Sequence, residues 1–372
     1  MYTYFHGQGS DLNQSNHLGS RLSFRCGVTM PNRFMLAPMT NCQSFKDGSL
    51  SEAEYLWLVK RAIGHFGMVM TCAAHVQTIG QGFPGQLGIY SDALLDGHRR
   101  LAGGIREHGS VAVIQLHHAG RRALVDAIEG VPVCPSRDES TGARALTLSE
   151  IDSLCADFVK AALRAQSAGY DGVEIHGAHD YLLCQFLSAK YNHRTDEFGG
   201  SVTNRMRLIS NILDGIRQVC GSQFLLGLRL SPEKYGIELS ESIEVFRRLA
   251  ETQTLDFLDV SLWDYKKKSD AQPDDERGLL DVFSLLERGQ TKLTVAGKIQ
   301  TASDVADVVA RGVDFVGVGR AGILHHDFPA LVMTDPNFRP RALPVSRDVL
   351  AREGVSPVFA DYLTRWPGFV AD

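Results

Sequence analysis

The sequence has no pair of cysteines close enough to share a metal ion. Its seven cysteines stand apart along 372 residues, at Cys26, Cys42, Cys72, Cys134, Cys155, Cys184 and Cys220. An odd number at irregular spacing argues against a disulfide framework, and an iron–sulfur cluster needs closely grouped thiolates. We therefore expect reduced thiols and a cytoplasmic protein.

Long apolar runs and long basic runs are also missing. No stretch of eighteen apolar residues occurs, so no segment is expected to cross a membrane, and residues 1–19 lack the apolar core of a signal peptide. The formal net charge is −5, and Lys266–Lys268 is the only basic triplet. These features argue against nucleic acid or a membrane as a partner and leave a small molecule as the expected ligand.

A glycine-rich dinucleotide turn is absent as well, because no Gly-x-Gly-x-x-Gly motif follows an early strand. Instead, eight short apolar runs alternate with segments of helical periodicity. The runs begin at Phe34, Gly67, Val111, Gly172, Phe224, Phe257, Lys292 and Phe315. This alternation predicts an α/β fold, a single (β/α)8 barrel of the TIM type, with an open doubly wound sheet as the alternative.

The barrel is expected to occupy residues 22–340 as a single domain. It is preceded by a hairpin, because Leu22–Phe24 and Val28–Met30 flank a turn at Arg25–Gly27. Residues 1–21 form an N-terminal extension, and residues 341–372 form an apolar, aromatic C-terminal tail. The tail is a candidate for a subunit interface in a homo-oligomer.

One stretch, Asp171–Tyr181, brings three polar rings to the end of the fourth apolar run. His176, His179 and Tyr181 follow a short buried strand within six positions. Imidazole and phenol donate hydrogen bonds, and phenol can release a proton, so the cluster can hold a carbonyl oxygen and protonate a neighbouring carbon. The competing interpretations are a zinc site, for which Asp180 is the only close third ligand, and a satisfied polar core.

In a parallel barrel the carboxyl ends of the strands share one face, where the active sites of such enzymes lie. Runs seven and eight each end in a glycine and a cation, Gly297-Lys298 and Gly319-Arg320. Glycine lets backbone N–H groups approach a phosphate and the cation balances its charge, so these ends predict a phosphate site. The other strand ends supply Pro38, Met39, Thr40, Ala73, Gln115 and Arg229.

Four motifs follow one another along the chain: Ala37–Thr40, Gln115–Arg121, Glu174–Leu182 and Asn192–Gly200. Their sequences, Ala-Pro-Met-Thr, Gln-Leu-His-His-Ala-Gly-Arg, Glu-Ile-His-Gly-Ala-His-Asp-Tyr-Leu and Asn-His-Arg-Thr-Asp-Glu-Phe-Gly-Gly, resemble the old yellow enzyme family. That family consists of FMN-dependent ene-reductases built on one (β/α)8 barrel. The similarity runs from about residue 22 to about residue 328.

The resemblance implies a role for each residue at the strand ends. The expected cofactor is a non-covalently bound FMN. The residues expected along its flavin ring are Pro38, Met39, Thr40, Ala73, Gln115 and Arg229, and those expected at its phosphate are Gly297, Lys298, Gly319 and Arg320. Thr40 would face the O4/N5 edge of the flavin and Arg229 the N1/O2 edge, where reduction creates negative charge. His176 and His179 would bind the substrate carbonyl, Tyr181 would donate the proton, and no metal ion is implied.

The resemblance also implies a reaction. NADH or NADPH gives a hydride to FMN, which passes it from N5 to the β-carbon of an α,β-unsaturated carbonyl compound, while Tyr181 protonates the α-carbon. Three further interpretations stay open at this point. They are a flavin-free barrel enzyme that acts on a phosphorylated metabolite, a zinc hydrolase that uses the histidine pair, and an FMN-binding protein without turnover.

Overall fold

A computed structural model describes residues 18–270 and 277–371 of the chain. Within these residues, two short antiparallel strands, β1 (Leu22–Ser23) and β2 (Thr29–Met30), form the predicted hairpin. Eight parallel strands then close into a barrel: β3 (Phe34–Leu36), β4 (Met68–His75), β5 (Val111–His117), β8 (Gly172–Gly177), β9 (Leu225–Leu230), β10 (Phe257–Ser261), β11 (Lys292–Ala296) and β12 (Phe315–Val318). A separate pair, β6 (Val133–Cys134) and β7 (Arg144–Ala145), lies between β5 and β8. The (β/α)8 prediction is confirmed.

Helices cover the outside of the barrel. They are α1 (Glu52–Ile63), α2 (Leu95–Arg106), α3 (Leu148–Ala168), α4 (Leu182–Leu187), α5 (Val202–Cys220), α6 (Leu239–Glu251), α7 (Leu279–Ser284), α8 (Ala302–Ala310), α9 (Arg320–Leu324), α10 (Phe328–Thr334), α11 (Arg347–Arg352) and α12 (Pro357–Leu363). Six of them start after a Ser or Thr side chain that caps the helix, and at α3 Thr147 and Glu150 form a capping box. The apolar periodicity predicts that Val282–Arg288 lies in the sixth barrel helix, but that helix, α7, ends at Ser284, so residues 285–288 lie beyond it. Asp281 accepts the Gly278 N–H (3.1 Å) at the start of α7.

Aromatic rings close the amino-terminal end of the barrel. Phe24, just after β1, packs against Phe257 and Phe315 with ring centroids 6.0 and 5.7 Å apart. Met35 and Met68 are fully buried in the same cluster. Burying a side chain of this size contributes about 1.5–3 kcal/mol. This end of the barrel is therefore an apolar core, and the polar strand residues gather at the carboxyl-terminal end.

The C-terminal segment packs on its own barrel. Phe359 of α12 meets Trp57 of α1 with ring centroids 5.3 Å apart. The buried Arg61 of α1 donates to the carbonyl oxygen of Glu353 (2.7 Å), and burial lowers the pKa of Arg61 to about 9. Contact of this segment with a second subunit stays a prediction. The predicted N-terminal extension lies outside the described residues up to position 17.

Candidate active site

A cleft of about 1290 Å³ opens where the barrel strands end at their carboxyl termini. Its wall contains every site residue named from the sequence: Pro38, Met39, Thr40, Ala73, Gln115, His176, His179, Tyr181, Arg229, Gly297, Lys298, Gly319 and Arg320. Parallel closure of the barrel brings these residues together, because it places all eight strand ends on one face.

Strained backbone is concentrated around this cleft. Among the described residues, nine non-glycine residues have a positive φ, and six of them line the cleft: His179, Asp180, Lys234, Tyr235, Trp263 and Lys298. Such a conformation costs on the order of 1–3 kcal/mol and persists where surrounding contacts enforce it, often at functional sites. The backbone thus marks the cleft as functional independently of any sequence motif.

Contacts on both sides hold His179 and Asp180 in this conformation. Ser231 Oγ accepts the His179 N–H (3.0 Å), and Arg122 donates to the His179 carbonyl oxygen (2.6 Å). The Asp180 carboxylate pairs with Arg121 (3.0 Å). These bonds fix the directions in which the imidazole of His179 and the following phenol ring project.

The partners of the two imidazoles define a directed chain of hydrogen bonds. His176 Nδ1 accepts the Ala178 N–H (3.2 Å), so the proton of this imidazole lies on Nε2. His176 Nε2–H then donates to His179 Nδ1 (3.3 Å), and His179 Nε2–H donates to Ser261 Oγ (2.7 Å). The bond between the imidazoles is long, so the carbonyl oxygen of a ligand can compete for the His176 proton.

Burial keeps the imidazoles neutral and the phenol protonated. The pKa of His176 and that of His179 lie well below the usual value, mainly because burial disfavours the charged form. The next largest cause is the neighbouring His179 for His176, and the Arg229 guanidinium for His179. Burial also raises the pKa of Tyr181, whose ring stands edge-on to His176 with centroids 5.0 Å apart. At neutral pH the cluster therefore offers imidazole N–H donors and a phenolic proton.

Two carboxyl groups and one guanidinium lie buried next to the imidazoles. Gln115 Nε2 donates to Glu174 Oε1 (2.6 Å), and Arg229 Nε lies 3.2 Å from Asp259 Oδ2. Burial, and after it the charge of Asp259, raises the pKa of Glu174 well above its usual value. Glu174 Oε2, Arg229 Nε and both Asp259 carboxylate oxygens have no hydrogen bond of good geometry. Of these residues only Gln115 and Arg229 line the cleft, so they are the ones that can present polar atoms to a ligand, and the two carboxyl groups lie behind them.

Two glycines shape another part of the cleft. A Cβ on Gly297 would lie 3.0 Å from the Asp264 backbone nitrogen, whereas a Cβ on Gly319 would meet only Met39 Sδ, at 3.6 Å. The space beside Gly319 is therefore left to a ligand. Lys298 is neutralised by Asp264 (2.9 Å), so Arg320, which has no ion-pair partner in the described part of the chain, is the cation that remains for a phosphate.

These features together fit FMN. The amide of Gln115 and the guanidinium of Arg229 match the donors and acceptors on the pyrimidine edge of a flavin. The open space at Gly319 beside Arg320 matches a single phosphate group.

Several residues of the cleft were not predicted from the sequence. Tyr362 and Trp366 enter it from the C-terminal segment. Ser261, the last residue of β10, and Trp263 also line it. The strand-end rule that found Arg229 points equally to Ser261, whereas the position of the tail has no signal in the sequence.

Within the described ranges, no group of three or more His, Cys, Asp or Glu side chains is placed to hold a metal ion. Among the same residues, no helix is long and apolar enough to cross a bilayer. The ring nitrogens of His179 contact His176 and Ser261, and His176 uses its Nε2 for the contact with His179.

The closed barrel and its buried imidazole–phenol cluster define the class of single-barrel flavin oxidoreductases. Residues 23–335 match the NADH:flavin oxidoreductase / NADH oxidase family. A probable NADH-dependent flavin oxidoreductase of Bacillus subtilis is 36% identical over 327 residues, which cover 85% of each chain. An NADPH dehydrogenase of Bacillus licheniformis is 36% identical over 238 residues, covering 63% of this chain and 70% of the relative. The chain belongs to this family, that of the old yellow enzymes.

The solved structures agree with the sequence relatives. An old yellow enzyme homologue from Zymomonas mobilis aligns with a TM-score of 0.78 at 25% identity, covering 92% of this chain and 99% of that one. The protein is an NAD(P)H-dependent flavin oxidoreductase with FMN as its cofactor. Family membership therefore decides against the flavin-free barrel enzyme and the non-catalytic FMN-binding protein.

Proposed function

We propose that this oxidoreductase reduces the carbon–carbon double bond of α,β-unsaturated carbonyl compounds. The observation that carries the proposal is the placement of a buried N–H donor, His176, and a protonated phenol, Tyr181, with ring centroids 5.0 Å apart in the FMN cleft. When bound, FMN accepts a hydride from NADH or NADPH and delivers it to the β-carbon of the alkene. The protein has to polarise the carbonyl group and protonate the α-carbon.

The two imidazoles bind the carbonyl oxygen in this proposal. His176 Nε2–H exchanges its acceptor, His179 Nδ1, for the carbonyl oxygen, and rotation of His179 frees its own Nε2–H from Ser261 as a second donor. Both donors stabilise the negative charge that develops on the oxygen as the β-carbon receives the hydride. Tyr181 then donates its phenolic proton to the α-carbon.

The remaining residues of the cleft hold the cofactor in the same proposal. Pro38, Met39, Thr40 and Ala73 pack along the flavin ring, and Gln115 and Arg229 bind its pyrimidine edge. The phosphate is held by Gly297, Gly319 and Arg320, with Lys298 as an outer charge balanced by Asp264. The direct test is anaerobic reduction of the enzyme by NADH or NADPH, followed by 2-cyclohexenone. We expect cyclohexanone in an amount equal to the flavin, and a reduced enzyme that stays reduced in the presence of the enone would refute the proposal.

Gly319→Val is expected to weaken FMN binding by about 10-fold or more, because its side chain fills the space assigned to the phosphate. A Cβ at Gly319 meets only Met39 Sδ, but the backbone there (φ −96°, ψ −102°) lies outside the α and β regions, so circular dichroism and thermal melting of the variant are measured first to show that it is folded. Equilibrium titration of the apoprotein with FMN measures the effect. As a control, Gly103→Val in α2, where a Cβ meets no atom within 4 Å, should bind FMN as the native protein does. Equal FMN affinities of the two variants would contradict the phosphate assignment.

Arg229→Met is expected to lower the midpoint potential of bound FMN. Reduction adds negative charge at the flavin edge, and the variant removes the fixed cation assigned to that edge. A drop of about 30 mV corresponds to a tenfold change in the two-electron equilibrium. The potential can be measured by equilibration with reference dyes. Arg229→Lys keeps the charge and should lie much closer to the native value, whereas an unchanged potential in an FMN-loaded Arg229→Met protein would contradict the assignment.

A further inference from the structure

Besides Arg320, which is assigned to the phosphate, two cations of the cleft wall form no ion pair in the described part of the chain. They are Arg122 and Lys234, both exposed, and we refer to them as the cationic rim. The other cations of the wall, Arg229, Lys266, Lys267 and Lys298, each have a carboxylate oxygen within 2.8–3.2 Å, on Asp259, Asp304, Glu233 and Asp264. The charge of the rim is therefore available to a ligand.

Arg122 is a fixed cation beside the reacting groups. Its Nη1 donates to the carbonyl oxygen of His179 (2.6 Å), and its guanidinium carbon lies 4.9 Å from the ring centroid of Tyr181. A guanidinium carries five N–H donors, and within residues 18–270 and 277–371 the His179 carbonyl is the only acceptor that it contacts. Donors thus remain on the side of Arg122 that faces the cleft.

Lys234 is placed by a strained turn after β9. Lys234 and Tyr235 have φ values of 78° and 58°, and the turn is closed by a hydrogen bond from Ile237 N–H to the Lys234 carbonyl oxygen (3.0 Å). Ser188 Oγ holds the carbonyl oxygen of Tyr235 (2.6 Å). Two adjacent positive φ values in non-glycine residues are costly, so the turn is enforced by its surroundings.

The two cations stand at the two ends of one row of rings, formed by Trp263, His179, His176 and Tyr181. The Lys234 ammonium lies 5.9 Å from the ring centroid of Trp263, and Trp263 lies 6.1 Å from the imidazole of His179. Arg122 lies over Tyr181 at the other end of the row. Aromatic walls exclude water from a ligand between them and strengthen its interaction with the cations.

We propose that the cationic rim binds a carboxylate on the acceptor, so that the preferred substrates are enones or enals that also carry a carboxylate group. This inference rests on the proposed reduction of activated alkenes, and it adds the substrate class. Arg122 directly borders Tyr181 and His179, and Lys234 stands further out beside Trp263, so an anion held at Arg122 lies within a few bonds of the reacting carbons. The phosphates of NADH and NADPH are separated from the reacting nicotinamide ring by a ribose, which makes them the less suitable occupant.

The test compares an acid with its methyl ester in turnover. The two substrates are trans-4-oxo-2-pentenoate and methyl trans-4-oxo-2-pentenoate. The measured quantity is the ratio of their kcat/KM values, because a substitution that impairs the enzyme in general lowers both values and leaves their ratio unchanged. Loss of a hydrogen bond to a charged group corresponds to about 1.5–3 kcal/mol, or about 10–100-fold. We expect Lys234→Gln and Arg122→Gln each to lower the acid:ester ratio by that factor, and Lys234→Arg to keep it. Lys160→Gln removes an exposed lysine from α3 and serves as the matched control.

A binding measurement separates failure of this inference from failure of the proposed function. 4-Hydroxybenzoate and its methyl ester are titrated against the oxidised holoenzyme by the change in the flavin spectrum, which needs no turnover. A preference for the acid that falls in both rim variants supports the anion site even if neither alkene is reduced, in which case the proposed function alone fails. The inference is overturned if the rim variants show the same acid:ester ratios as the native enzyme, both in binding and in turnover. A rim substitution that instead lowers only the ratio of the NADPH to the NADH reduction rate overturns it too, because the anion would then be the dinucleotide phosphate.

Discussion

Tyr181→Phe is expected to slow reoxidation of the reduced enzyme by 2-cyclohexenone about 10²-fold or more, the usual contribution of a positioned general acid. Reduction by NAD(P)H should stay near the native rate. Phenylalanine keeps the ring that packs against His117 (4.3 Å between centroids) and under Arg122 (4.9 Å), so only the proton is lost. Burial raises the pKa of Tyr181, so the native phenol is protonated throughout the working range. Stopped-flow absorbance of the flavin follows the two half-reactions separately.

Two comparisons sharpen this experiment. Reoxidation by molecular oxygen needs no proton on an enone carbon, so it should survive in Tyr181→Phe. The control is Tyr90→Phe, which removes a different phenol. The Tyr90 hydroxyl donates to the backbone carbonyl oxygen of Asp47 (2.7 Å), and its loss should leave both half-reactions unchanged. A native rate with cyclohexenone would show that another group supplies the proton. A loss confined to reduction by NAD(P)H would instead make Tyr181 part of the nicotinamide site, and the acid would have to be sought near His117, His118 or Tyr265.

His176→Ala is expected to lower cyclohexenone turnover by about 10²–10³-fold, as loss of one oxyanion donor does in other enzymes. The effect should exceed that of His179→Ala. His176 Nε2–H needs only to exchange one acceptor for the carbonyl oxygen, whereas His179 must first leave Ser261 (2.7 Å). Single-turnover reoxidation of the reduced variants by the enone measures both effects. His108→Ala, which removes an exposed imidazole after α2, is the control.

Binding of 4-hydroxybenzaldehyde reports on the same imidazoles without turnover. Bound as phenolate, it should give a long-wavelength charge-transfer band with the oxidised flavin, and the band should weaken in both histidine variants. The pKa values of His176 and His179 lie well below 6.5, so the imidazoles stay neutral between pH 8 and pH 6. The band should therefore follow ionisation of the phenol alone and show no step from the histidines in that range. Stoichiometric zinc, with loss of activity when a chelator removes it, would make us abandon this assignment.

The barrel and its site were readable in the sequence for one physical reason. A strand covered on both faces needs a short, continuous apolar run, and parallel closure puts the residue after each run on a shared face. The ends of β8, β9 and β12 were therefore enough to bring His176, Arg229 and Gly319 together. Helix boundaries were not readable in the same way, as α7 shows, because the contact of Asp281 with the Gly278 N–H sets its start and the helix ends four residues before Arg288.

The tertiary structure alone decided which of these groups are free to act. Lys298 was named as a phosphate-binding cation, but a loop residue 34 positions earlier, Asp264, neutralises it. The direction of the imidazole hydrogen bonds depends on Ser261, 82 residues beyond His179. Trp366 and Tyr362 enter the cleft because Arg61 anchors the backbone at Glu353, 292 residues away.

Local patterns in the sequence therefore determined the strands, their order and the residue types that stand at their ends. Periodicity and strand-end position are properties of neighbouring residues, so a single chain displays them directly. Ion pairing, tautomers and the path of the tail depend on contacts between residues far apart in the chain. Only the closed barrel brings these residues within a few ångströms of one another, and for that reason the structure was needed to find the cationic rim.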